Sequence, residues 1–464
     1  MIKFRFRSVY KNLTPFWVWF IVAELSFLTT LWLPFQGEEA VYAIASMEMS
    51  LQKEWIIPTV YRMSYERPPL LNWILIPFGE YFGWDYILVI SRTVAATATL
   101  FTSLLLMGVT YRIFRKREVS LFAALIYMSG DVLFRRGWLA YADPLFSLFV
   151  FGALAALWLA VEEKKHRFLW LAVISVMASF LTKALTGYVF YFIALLVFAR
   201  RREYRIFLLN PISIFLQVFA IILPIIWSVW ISQGAHGDRM VYDIFARLNL
   251  NDLVSYCMKV VVFPFDTFMR CLPVSGLMVY FWVKSEQKKS FLNAFKDPRI
   301  ADIVWIFILN YLPYWIVPES HVRYLLPLSP LLAWLLAYWI FELGTEKVKI
   351  VMGWLVIGII LRYAVGIFWF PYYEKKYRGD YQAVAYDILN RVGNRPLYTD
   401  DYFSVGLNVA VMIDIEKMPN AVIGRSIANW EGYLMSPTKD VPDTVVAKTY
   451  RLGNQSLYLL ERVR

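Results

Sequence analysis

What most restricts this chain is the recurrence of apolar stretches close to the roughly 20 residues that cross a bilayer as a helix. The first covers residues 15–35, and others fall near 87–110, 119–135, 144–161, 168–182, 185–200, 207–231, 262–283, 302–317, 325–342 and 350–370. That makes about eleven spans at this length. Backbone in hydrocarbon must satisfy its own hydrogen bonds, so each stretch reads as a helix. Hydrophobic residues make up 59% and charged residues 18%, against about 45–50% and 25% in soluble domains. The fold class expected is an α-helical polytopic membrane protein. The run over 15–35 follows a basic start, MIKFRFRSVYKN. It is long enough to span and lacks a small-residue cleavage site, so it is expected to stay as the first helix.

The net charge of +12 invites a nucleic-acid reading, yet the Lys and Arg sit in short clusters between apolar runs rather than on one soluble face. No nucleic-acid partner is expected. Threading the spans in order puts KFRFRSVYKN, RIFRKRE, EEKKHR, ARRREYR, KSEQKK and EKVK on one side of the membrane, and the positive-inside rule makes that side the cytoplasm. An odd span count leaves the C-terminus outside, in the periplasm of an inner-membrane protein. The stretch 250–283 is interrupted by Pro264, Asp266 and Pro273, and the charge pattern favours one span there. Cys257 and Cys271 pair only if both face an oxidising compartment with suitable Cα spacing.

Composition turns polar at Pro371, which divides the chain into a membrane domain, 1–371, and a tail, 372–464. A helical pattern over 380–392 and the strand-like runs RPLYTD, TVVAKTY and QSLYLLERV make the tail a small soluble α/β domain. No tandem repeat or low-complexity stretch is present.

The first outer loop, 36–86, contains GEEAVYAIASMEMSLQKEW, with Ala40, Val41, Ile44, Met47 and Leu51 at helical spacing. An amphipathic helix along the interface is expected there. Glu38 and Glu39 stand at its start, where the helix dipole by itself welcomes acids. Further on, YERPPLLNW sets Glu66 and Arg67 at a Pro-Pro turn, where a rim ion pair is the plain reading. Asp143 precedes Pro144 in AYADPLFS, an ordinary helix start. Lys183 lies between two tightly linked spans and has room to snorkel. Arg323 enters a span two residues after His321, itself more often a polar surface residue. Each is weak alone; on one face of the membrane, together, they have the convergence of a site.

These residues carry a resemblance. The chain resembles the GT-C superfamily of membrane glycosyltransferases, in the branch of the protein O-mannosyltransferases and the lipid A 4-amino-4-deoxyarabinose transferases. GEEAVYAIASMEM stands where that branch has an acidic pair on a loop helix. EWIIPTVYRMSYERPPLLNW follows as in the family, with Arg67 where Lys is more usual. Arg92 in ISRTVAA, AYADPLFS, TKA at 182–184 and RYLLP at 323–327 continue the match in order to about residue 340.

The resemblance implies transfer of a sugar, with inversion, from a polyprenyl-phosphate carrier to an acceptor on the outer side. Glu38 aligns with the first acidic residue as the base, and Glu39 and Asp143 complete the catalytic set. Lys183, Arg323, Arg67 and Arg92 would meet the donor phosphate, which a lipid carrier presents at headgroup level. Glu66, with Asp243 and His321, would orient the acceptor or hold a divalent cation. Here Glu replaces the commoner Asp at the first acid, and no His accompanies Asp243. The acceptor class stays open among envelope glycolipid, polysaccharide and protein. The competing classes are an O-antigen ligase or polymerase, against which the early acidic pair argues, and a transporter of lipid-linked sugars, which would show paired broken helices at the midplane.

Overall fold

The computed structural model describes residues 14–65, 67–183, 185–232, 252–284, 297–401, 405–420, 422–426 and 430–463. The chain is mostly helical and falls into two compact units. A helical unit comprises the described residues up to Phe27, with Ala96–Trp138 and Asp143–Tyr363. A mixed unit comprises Leu28–Ala95, Leu139–Ala142 and the residues from Ala364 on.

In the helical unit, Arg117–Tyr127 is buried at every position from Val119 on and packs against Thr14–Leu25 and Ser329–Glu342. A helix apolar on all sides has to sit inside. Trp334 packs beside it, with ring centroids 5.1 Å from Trp158 and 5.6 Å from Phe114. By contrast Leu196, Phe215 and Val261 are exposed, large apolar side chains on the outside as lipid contact requires.

Among the described residues four helices are long and apolar enough to cross a membrane: Trp84–Phe114, Ala142–Glu163, Val322–Glu342 and the composite Thr345–Val392. Two bent pairs bring the total to six if each is one span. Arg202–Leu208 meets Pro211–Trp227 at 68°, and Leu253–Arg270 meets Val274–Lys284 at 98°. The single span expected over 262–283 is therefore a sharp bend, with Pro273 at the break. The run over 119–135 is likewise divided. Its helix stops at Tyr127, Gly130 turns with φ of +54°, and a π-turn follows at Val132–Arg136. Hydropathy counts apolar residues and does not register such breaks. Cys257 and Cys271 are both free. The first lies within helix Leu253–Arg270 and the second just after it, so at 1.5 Å of rise per residue they are roughly 20 Å apart.

The mixed unit holds a hairpin, β1 (Thr59–Val60) and β2 (Met63–Ser64), and a five-stranded sheet. The sheet strands are β3 (Leu397–Thr399), β4 (Gly424–Arg425), β5 (Tyr433–Ser436), β6 (Thr444–Leu452) and β7 (Gln455–Arg462), in the order β4-β3-β5-β7-β6. β3 runs parallel to β4 and β5, while β7 is antiparallel to β5 and β6. Helix Tyr381–Val392 starts where Asp380 accepts from the Ala383 amide at 2.9 Å. Helix Val405–Lys417, which periodicity did not reveal, is buried on nearly every side.

The loop helix expected to float on the interface is Glu39–Gln52, and it is an interior element. All but three of its 14 residues are buried, beneath helices Leu70–Phe82 and Val405–Lys417 and strand β1. Ala40, Ala43, Ala45, Ser46 and Ser50 keep parts of its surface small enough for neighbours to approach closely.

That packing buries two carboxyl groups. Glu48 Oε2 accepts from Thr59 Oγ1 at 2.5 Å and the Arg62 amide at 3.0 Å. Asp414 Oδ1 accepts from the Ile423 amide at 2.7 Å. Glu48 Oε1 and Asp414 Oδ2 have no hydrogen-bond partner among the described residues. Burial, foremost, raises both acids, and the charge of Glu48 raises Asp414 further, well above the usual carboxylate range. An acid raised on folding contributes stability that is complete below its unfolded pKa, about 4, and is lost as pH climbs through the folded value. The wild type should thus lose thermal stability as pH rises above about 4. Asp414→Asn should flatten that profile, by about 1.4 kcal/mol for each unit of elevation removed. Parallel melting profiles for the two proteins would show that Asp414 is ionised in the fold.

Candidate functional site

The acidic pair separates into two environments. Gly37 takes φ of +57°, and a Cβ there would lie 2.6 Å from Tyr141 Oη, so the turn before the helix suits glycine. The helix begins at Glu39, whose side chain is fully buried against Arg92. Glu39 Oε1 accepts from Arg92 Nε at 3.0 Å and the Ala140 amide at 2.9 Å. Its Oε2 accepts from an Arg92 terminal nitrogen at 2.6 Å and the Gln36 amide at 2.8 Å. Arg92 also donates to the carbonyls of Thr30 at 2.7 Å, Leu33 at 2.6 Å and Pro34 at 2.8 Å. A guanidinium engaged in this way ties the first-loop entry together. It is not presented to a ligand, in contrast to the phosphate role expected for Arg92.

Glu38 occupies the cap position yet makes no side-chain capping bond. Its amide donates to Tyr141 Oη at 3.2 Å. Its carboxylate lies 3.8 Å from Arg67, and the two side chains are 37% and 32% exposed. Arg67 is steadied by donation to Tyr42 Oη at 2.6 Å and by the rings of Tyr42 and Tyr65, 5.9 and 5.7 Å away. Of the two acids only Glu38 is open to a reactant.

The helical unit assembles a second group. Asp143 lies in the first turn of Ala142–Glu163, buried, and is ion-paired with Lys183, which follows helix His166–Thr182. The Lys183 ammonium sits 4.8 Å from the Tyr324 ring and 5.6 Å from that of Phe146. Arg323, in the 3-10 turn Val322–Leu328, lies 5.3 Å from the centroid of the same Tyr324 ring. The charges of Arg136 and Arg323 both bear on Asp143.

Arg323 also lines a cavity in this unit with Asp131, Arg136 and Arg270, walled by apolar residues such as Phe307 and Leu336. Asp131 links two of the arginines, at 2.6 Å to Arg270 and 3.6 Å to Arg136, and Arg270 also holds Asp266 at 3.0 Å. Three guanidinium groups above a hydrocarbon wall suit an anion carried on an apolar chain. Neither Arg136, which lies seven residues before Asp143, nor Arg270, in TFMRCLP, stands out in the sequence. Arg270 reaches Asp131 from 139 positions away.

His321 is exposed, its ring 5.8 Å from that of Tyr324. Glu66 and Asp243 lie outside the described residues. Among the described residues no three His, Cys, Asp or Glu side chains converge as a metal site.

No protein-family model matches the chain. Among curated relatives, the undecaprenyl phosphate-alpha-4-amino-4-deoxy-L-arabinose arabinosyl transferase of Edwardsiella ictaluri is 26% identical over 230 residues, 46% of this chain and 40% of that protein. A second transferase of that name, from Pseudomonas fluorescens, is 31% identical over 137 residues, 30% of this chain and 23% of its own. The match thus spans two fifths or less of these relatives. In solved structures, apo ArnT from Cupriavidus metallidurans aligns with a TM-score of 0.67 at 13% identity, over 97% of this chain and 98% of that one. The apo oligosaccharyltransferase of Archaeoglobus fulgidus aligns at 0.56 and 11% identity, over 88% and 65%.

Proposed function

We propose, for a chain whose fold is that of the GT-C glycosyltransferases, that it transfers a sugar from a polyprenyl-phosphate carrier to an acceptor hydroxyl or amine. The observation that carries this reading is the cavity of Arg136, Arg270 and Arg323 over an apolar wall. A lipid phosphate needs both parts, cations for the head and hydrocarbon for the chain. As the bond between the anomeric carbon and the phosphate oxygen breaks, negative charge grows on the leaving phosphate, and Arg323 and Lys183 stabilise it. Asp143 holds Lys183 in place. On the family resemblance we assign the acceptor's proton to Glu38, and displacement of the phosphate by the acceptor from the opposite face of the sugar gives inversion. Glu39 and Arg92 act on the loop rather than on substrate, and Arg67 steadies Glu38.

The charge pattern supports about eleven spans at roughly 20 residues each, with the N-terminus in the cytoplasm and an α/β domain over 372–464 on the outer, periplasmic side of the inner membrane. A reporter fused after Arg464 tests this; a cytoplasmic signal there reverses it. The acceptor is an envelope glycolipid, polysaccharide or protein. The relatives' names make an undecaprenyl-phosphate aminoarabinose the first donor to assay.

The test is release of free lipid phosphate by purified protein in nanodiscs. Arg323→Met should raise the KM for donor about 10- to 100-fold, the range of one lost charged hydrogen bond. An unchanged KM removes Arg323 from the donor site. No release by the wild type from any polyprenyl-phosphate sugar sinks the reading.

A further inference from the structure

Helix Thr345–Ala364 is apolar along most of its length, yet Arg362, in its last turn, is completely buried. An ionisable side chain deep in an apolar helix is expensive, and a neutral donor would serve if only one hydrogen bond were needed. Arg362 Nε donates to the Leu133 carbonyl at 2.9 Å, and its guanidinium lies 5.6 Å from the Trp138 ring and 5.9 Å from that of Phe27. Leu133 belongs to the π-turn Val132–Arg136, closed by the Gly137 amide to the Val132 carbonyl at 2.8 Å.

Such a turn sets carbonyls out of line with the regular helical donors, and here side chains meet them. Trp138 Nε1 donates to the Phe134 carbonyl at 3.0 Å, and Thr99 Oγ1 to the Gly137 carbonyl at 2.8 Å. The two ends of this braced turn are Asp131 and Arg136, both on the wall of the arginine cavity. Without its braces the segment is free to return to regular helix, which rotates Arg136 by one position, about 100°, around the axis.

We propose that Arg362 is a positioning residue for the lipid-phosphate cavity, acting through the π-turn to hold Arg136 on its wall. This rests on the donor reading of that cavity. Arg362 itself touches no substrate; its effect is on affinity, and it runs through Arg136.

The experiment is a double-mutant cycle on undecaprenyl phosphate binding to the full-length protein in nanodiscs, read directly and without turnover, with melting temperature recorded alongside. Arg362→Met should weaken binding about tenfold, as should Arg136→Met, and the double variant should be no weaker than either. Arg362→Lys keeps a donor for the Leu133 carbonyl and should recover most of the loss, which also serves if the Met variant does not fold. Kinetically the change should fall on the donor KM and spare kcat. Additive losses, or a kcat effect at unchanged KM, overturn the role of Arg362 while leaving the cavity intact. A wild type that binds no undecaprenyl phosphate overturns the cavity reading and this proposal with it.

Discussion

Glu38→Gln should lower the rate of lipid-phosphate release about 10²- to 10⁴-fold, the usual contribution of a general base, with little change in the donor KM. The amide preserves the shape of the side chain and its approach to Arg67, 3.8 Å away, so the loop should fold as before. What is lost is the capacity to take the acceptor proton. The measurement is the initial rate at saturating donor with acceptor present. Equal rates for wild type and variant would remove Glu38 from catalysis, whatever the sugar.

Arg92→Met should act on stability. It leaves the Glu39 carboxylate buried with no cation beside it, and breaking a buried pair from one side costs about 3–5 kcal/mol. The carbonyls of Thr30, Leu33 and Pro34 lose their donor in the same step. The expected readout is a lower melting temperature with early proteolysis in the first loop. The double variant Arg92→Met/Glu39→Met should melt above the single one, because it no longer strands a charge. If Arg92→Met melts like the wild type, the pair is not the brace of the loop. If it keeps its stability and loses donor affinity instead, Arg92 serves the phosphate after all.

These two expectations separate adjacent residues of the same chemical type, and nothing in GEEAVYA distinguishes them. Identical side chains one position apart point about 100° from each other on a helix. Which of them meets Arg92 and which meets solvent depends on chain entering from residues 30–36, 92 and 140. The Glu39–Gln52 helix illustrates the same limit. Its periodicity marked a helix correctly, but periodicity reports only that one face is apolar. That the other face is covered as well follows from Val405–Lys417, some 360 positions further on.

Local chemistry was legible where the cause was local. The helix expected over 380–392 starts at Asp380, because a carboxylate can accept from an amide three residues on. The strands over 397–399, 444–452 and 455–462 arise in the runs whose composition favours them. By contrast, the π-turn before Gly137 divides a stretch that hydropathy reads as continuous, and Pro273 marked an interruption without showing that the chain turns there by 98°, since transfer free energy sums over residues without regard to backbone direction.

The sequence by itself determined that this chain is helical and built for a membrane, where its apolar segments lie, and which ionisable residues stand at their ends, because burial of apolar surface and the expense of charge in hydrocarbon act residue by residue. Only the tertiary structure decided that Glu39 and Arg92 brace a loop while Glu38 stays open, that Lys183 meets Asp143, and that Arg136, Arg270 and Arg323 share one cavity. Those outcomes depend on which charges approach within a few ångströms, where Coulomb energies change steeply with distance, and that proximity is set by packing between segments far apart in the chain.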